Sequence, residues 1–240
     1  MWIYKKVKGD NLQMKKIFSN NPDIDKNAYM NWRTHSYDPI HNMIVVAEGF
    51  KDSTLLLVKD ILKDNTDKKA DNLIFPVLFN ANHSIEVYLK AICWTQNLLL
   101  NKNDTFDGNH NLKGLFKKVV DLENELNILG DKSVFYKELN NLETYIDELY
   151  EKIERTVKGK NGNDKIIHEI TFCRYALTSD LEPQFYIDTF DNVVVDLENF
   201  LTVFEQIFKT LDSLSTHYIV LYDEKQEFQA ECESDWNGDY

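Results

Sequence analysis

From Ile44 onward the chain alternates apolar and polar positions with a helical period. The stretch "IVVAEGFKDSTLLLVKDILK" sets Val46, Phe50, Leu57 and Ile61 near one face, with Gly49 as a local weakness. After the charged loop "DNTDKKADN", residues 73–100 carry Ile74, Leu78, Ala81, Ile85, Leu89 and Ile92 on one stripe. Phe79, Val87 and Trp94 lie on the opposite side, and a helix apolar on both sides is buried between neighbours. A third helix follows from "LKGLFKKVVDLENELNIL". A fourth spans 134–157, with Phe135, Leu139, Leu142, Ile146, Leu149 and Ile153 stepping by four and three. Residues 189–215 give the longest regular pattern: Val193, Leu197, Phe200, Phe204, Ile207, Leu211 and Leu214.

These segments predict an all-α fold, an up-and-down helical bundle of about five helices over 44–217. Residues 1–43 form an N-terminal extension and 218–240 an acidic tail. "YIVLY" near one end and "WIYKK" near the other have strand-like composition and suggest a short terminal β pairing. The segment "IIHEITFCRYAL" is strand-like too, but reads as an extended approach to the last helix. If one bundle cannot cover the stripe of that last helix, it becomes a seam for a homodimer.

Composition narrows the picture. The 240 residues hold only 8 Gly and 4 Pro, too few for a turn-dense sandwich or barrel. The formal charge is −13, which repels a phosphate backbone and disfavours strong sequence-independent binding to nucleic acid. A local basic pocket remains compatible with that total. Residues 1–20 contain five Lys against one Asp, and 223–240 seven acids against one Lys. Cys93, Cys173 and Cys232 form no CxxC, and neither a signal peptide nor an 18-residue apolar run is visible. A reduced cytoplasmic protein, with no membrane partner, is therefore expected.

Four stretches carry candidate chemistry. On the greasy second helix, His83, Glu86 and Lys90 project within roughly 60° of one another at about 100° per residue. An ordinary Glu–Lys surface pair is one reading, and a polar notch between apolar walls is the other. "GNHNLKGLF" puts His110 just ahead of a helix, with Asn109 or Asn111 as its cap. "FCRYAL" sets Arg174 and Tyr175 among apolar residues, so the guanidinium is exposed or paired, with Glu86 as one partner to consider. In "RTHSYDPIH", His35, Asp38 and His41 lack an evident fourth ligand and Pro39 interrupts any helix, so no metal and no cofactor are expected. The chain has no GxSxG, HExxH, GxGxxG or Walker loop, which removes sequence support for serine chemistry and nucleotide hydrolysis.

Taken in order, "PVLFNANHSIEVYLKAI", "GNHNLKGLF" and "FCRYAL" resemble the HEPN superfamily. Its members are small helical proteins of prokaryotic toxin–antitoxin, abortive-infection and anti-phage systems. The match covers roughly 44–215 and rests on a His-x-x-Glu-x-x-x-Lys helix, a Gly-x-His-x-Leu entry and an Arg-Tyr approach to a long final helix. The resemblance implies a metal-independent ribonuclease in which a His takes a 2′-hydroxyl proton and an Arg holds the phosphate. The family's hallmark, an Arg with a His four to six residues later, is not intact: Thr178, Ser179, Asp180 and Leu181 follow Arg174.

Three readings follow. The first is a site directed at RNA or a phosphorylated ligand, with His83, His110 and Arg174 catalytic and Glu86, Lys90 and Tyr175 assisting at the phosphate. The second is a catalytically inert module binding a partner protein in a defence complex. The third is a helical scaffold with no site. They separate on whether His83, His110 and Arg174 share a hollow or Arg174 is locked onto Glu86.

Overall fold

The computed structural model describes residues 15–237 apart from 107, 109, 159–162, 169, 179–180 and 188. Five α-helices make the body: α1 Pro39–Lys63, α2 Ala70–Leu99, α3 Leu112–Leu126, α4 Lys132–Ile153 and α5 Leu197–Asn237. The fold is thus an all-α helical bundle, with one hairpin inserted before α5. In that hairpin β1 (Glu154–Lys158) runs antiparallel to β2 (Asp164–His168), with Glu154 opposite His168. Short 3-10 turns occur at Ile24–Lys26 and Ile170–Cys173.

Helix boundaries follow capping chemistry. Helix α1 starts five residues before the apolar period does, because the Asp38 carboxylate accepts from His41 N at 2.8 Å and Pro39 occupies the first turn. Pro39 therefore opens a helix and does not interrupt one. Asp131 caps α4 through Ser133 N at 2.8 Å. Asp196 accepts from both Glu198 N and Asn199 N at 3.1 Å, which sets the start of α5 at Leu197. Val193 consequently lies ahead of the helix and is exposed, against the expectation that the helix begins at 189. Helix α4 likewise stops at Ile153, and residues 154–157 join β1 instead.

The core sits around α2, which packs on α1, α3 and α5. Val77, Ala81, Ile85, Tyr88, Leu89, Ile92 and Cys93 are buried along it. At about 25 cal/mol per Å² of apolar surface, burying a side chain of that size contributes about 1.5–3 kcal/mol. Pro76 removes one backbone donor near the start of α2, and the helix continues through it because its later turns are surrounded by protein.

The expected β pairing of the termini is corrected by α5. "YIVLY" is helical, and Tyr218 continues the buried stripe of Phe204, Ile207, Leu211 and Leu214. Packing overrides the strand propensity of Tyr, Ile and Val there: Tyr218 donates to the buried carboxylate of Glu123 at 2.7 Å. "WIYKK" lies outside the described residues. The segment set apart above as an acidic tail is, as far as Asn237, the far end of α5. Lys225 holds it by donating to the terminal carbonyls of α2, Leu98 O and Leu99 O, both at 2.9 Å. The α5 stripe up to Tyr218 is spent inside one chain, which removes the reason given above for a dimer seam there.

Candidate functional site

Three distant segments meet at one small hollow. Helix α2 supplies Phe79, Asn82, His83 and Glu86, whose i, i+3, i+4, i+7 spacing places them on one face. The loop before α3 supplies His110, and the 3-10 turn after β2 supplies Ile170 and then Arg174. The space between them is about 70 Å³ and is partly open to solvent. It has room for a few waters or one phosphate-sized group.

Each segment is fixed by local bonds. Asn111 caps α3 by accepting from Gly114 N at 3.0 Å, and it also accepts from Tyr150 Oη at 2.8 Å. His110 is thereby tied to α4 as well as α3. The turn carrying Arg174 closes through Arg174 N on Thr171 O at 2.8 Å, and it packs on α2. His83 lies parallel to Phe79 with ring centroids 5.7 Å apart, and edge-on to Phe50 of α1 at 4.5 Å.

Glu86 organises the charges. Its Oε1 accepts from Lys90 Nζ at 2.7 Å and from His110 Nδ1 at 2.9 Å, while His83 Nδ1 stands 3.8 Å from Oε2. Burial works to raise its pKa, but His83, Lys90 and His110 outweigh it and hold the carboxyl at about 2. Glu86 is therefore ionised throughout the neutral range. An ionised carboxylate only accepts, so Nδ1 of His110 carries the proton and Nε2 of the neutral ring keeps its lone pair. His110 is 62% exposed, leaving Nε2 accessible.

Arg174 is not locked onto Glu86. Among the described residues no carboxylate pairs with its guanidinium, whose Cζ lies 5.5 Å from the Phe79 ring centroid and 5.7 Å from that of Tyr175. An exposed guanidinium resting on an aromatic face keeps its donors for a ligand. Neighbouring Cys173 is pushed up by burial, more than Arg174 lowers it, so it stays a thiol.

Of the residues singled out from sequence, the hollow gathers His83, Glu86, His110 and Arg174. Lys90 does not line it; at 8% exposure it is turned to Glu86, with Phe106 beneath it at 5.5 Å. Tyr175 also lies outside the lining and is 61% exposed. Asn82 was missed. It is 4% exposed, its Oδ1 accepts from Tyr145 Oη at 2.6 Å, and its Nδ2 has no acceptor among the described residues. The signal was present in the helical spacing of Phe79, Asn82, His83 and Glu86, since an Asn on a buried face needs partners.

His35, Asp38 and His41 are engaged in local structure: Asp38 caps α1, and His41 Nε2 sits 3.0 Å from Arg33 O. Among the described residues no group of three or more His, Cys, Asp or Glu side chains is arranged to hold a metal ion, and no helix is long and apolar enough to cross a membrane. Comparison of the chain with family models, curated proteins and solved structures found no match.

Proposed function

We propose that the hollow receives a phosphoryl group of RNA and that the chain acts on it as a HEPN-like, metal-independent endoribonuclease in a prokaryotic defence or toxin–antitoxin setting. The observation that carries this reading is the meeting around one hollow of His83, His110 and Arg174, the last with no carboxylate partner among the described residues. Glu86 fixes the tautomer of His110, so Nε2 takes the proton of a ribose 2′-hydroxyl. That oxygen attacks phosphorus, the 5′-oxygen leaves, and a 2′,3′-cyclic phosphate results. Arg174 holds the phosphate oxygens as charge builds, and His83 in its protonated form returns a proton to the leaving oxygen. His110 thus supplies in space the base that the chain lacks after Arg174.

The acidic total makes general RNA affinity weak, so cleavage is assayed at low salt. End-labelled RNA is incubated in EDTA with wild type, Arg174→Ala and His110→Ala. The wild type cleaves, and each variant loses about 10²–10⁴-fold in rate. Equal cleavage by all three, or none by any, removes the enzyme. The small size of the hollow and the broken hallmark favour one second reading, an inert module that binds a phosphorylated ligand or a partner protein. It predicts Arg174-dependent binding without turnover.

A further inference from the structure

Among the described residues, Asn82 is the one polar lining residue with an unused, buried donor. The Tyr145 hydroxyl is held protonated by its burial first and by Cys173 next, against a downward pull from its bond to Asn82 and with a lesser upward push from Glu148. It therefore needs an acceptor and takes Oδ1 of Asn82. That bond fixes which way round the amide sits, and Nδ2 is left without an acceptor among the described residues. A buried N–H in this state costs free energy unless a ligand or water answers it. Apart from Glu86, the other polar groups described at the wall can all donate hydrogen bonds. Arg174 is a cation with no carboxylate partner among the described residues, and His83 and His110 present imidazole rings with N–H donors. The only acid in the lining among the described residues, Glu86, already serves Lys90 and His110. Lys90 further offsets its charge.

We infer that Asn82 is the innermost recognition group of an oxyanion pocket, its Nδ2 donating to an oxygen of a tetrahedral phosphoryl group whose other oxygens face Arg174. This rests on the reading of the hollow as a phosphoryl site and adds the residue that tells a tetrahedral oxyanion from a ligand with no acceptor at that depth. Tyr145 acts as a positioning residue, because without its hydroxyl the amide is free to turn its carbonyl toward the anion and repel it.

The test uses the full chain and inorganic phosphate, followed by NMR of the Asn82 side-chain amide and of the histidine rings. On titration, one Asn82 amide proton moves downfield in the wild type together with the His110 ring signals, and Arg174→Ala abolishes both changes. Asn82→Ala and Asn82→Leu weaken phosphate binding about tenfold or more, as expected for losing one hydrogen bond to a charged acceptor. Tyr145→Phe weakens it to a smaller extent. The wild-type amide signal needs no variant, so a failure of Asn82→Leu to fold does not stop the test. If phosphate binds in an Arg174-dependent way while the Asn82 amide stays put and its folded variants bind like wild type, the inference is overturned and the phosphoryl reading stands. If phosphate binds to none of the proteins, both fall.

Discussion

Glu86→Gln is the perturbation that reads the site's electrostatics most cleanly. The side chain keeps its length and one acceptor oxygen but loses the charge that Lys90 and His110 face at 2.7 and 2.9 Å. Two routes give the cost. Holding a carboxyl at about 2 in place of its ordinary 4.5 favours the charged form by about 3 kcal/mol, at 1.36 kcal/mol per unit. Removing one partner of a buried ion pair costs about 3–5 kcal/mol, less where a hydrogen bond survives. Urea unfolding at pH 7 should therefore show a loss of about 3 kcal/mol. In a chain this size that is roughly 6–12 °C in Tm. Lys90→Met in the Glu86→Gln background should return more than half of the loss, because it removes the stranded ammonium. A Glu86→Gln protein within about 0.5 kcal/mol of wild type, as for an ordinary surface change, would refute the reasoning. So would strictly additive losses in the double variant.

Other outcomes follow from the same packing. The Glu86 pKa is depressed on folding, so its contribution is complete above about 4.5 and lost as pH falls toward 2; the stability gap between wild type and Glu86→Gln should close over that range in acid titrations. Leu211→Asp places a charge at a fully buried point of α5 and should abolish cooperative unfolding by circular dichroism, whereas a folded single chain by light scattering would show that the stripe is a seam between copies. Phe79→Leu removes the ring under His83 and beside Arg174, and should weaken Arg174-dependent phosphate binding about two- to fivefold while leaving Tm within a few degrees.

Much of the bundle was legible because its core positions repeat strictly. In α4 the six apolar residues read from spacing are all buried, and α2 is covered on nearly every side as its two apolar flanks required. The misreadings arose where tertiary contact or capping outweighed local pattern. Asp38 and Asp196, not the apolar period, decide where α1 and α5 begin. Tyr218 and Ile219 look like strand, yet Tyr218 is carried into helix by the partner it finds in Glu123. Residues 154–157 continue the polarity of α4 but pair with β2, a partner ten or so residues downstream that helical periodicity cannot register.

At the site, spacing on α2 correctly grouped His83 with Glu86, and the resemblance of the three stretches picked out His110 and Arg174 as their companions. Spacing could not separate Lys90, turned one helical turn away onto Glu86, from residues that line the hollow. It also could not orient the Asn82 amide, because that depends on Tyr145, 63 residues away.

The most direct measurement is a crystal structure with a short RNA whose attacking 2′-oxygen is methylated, so that the bond survives. The account predicts the phosphate beside the Arg174 guanidinium and His110 Nε2 about 3 Å from that 2′-oxygen, its Nδ1 still on Glu86. An RNA bound on another face, or a His110 ring swung off Glu86 with the hollow left to solvent, would contradict it.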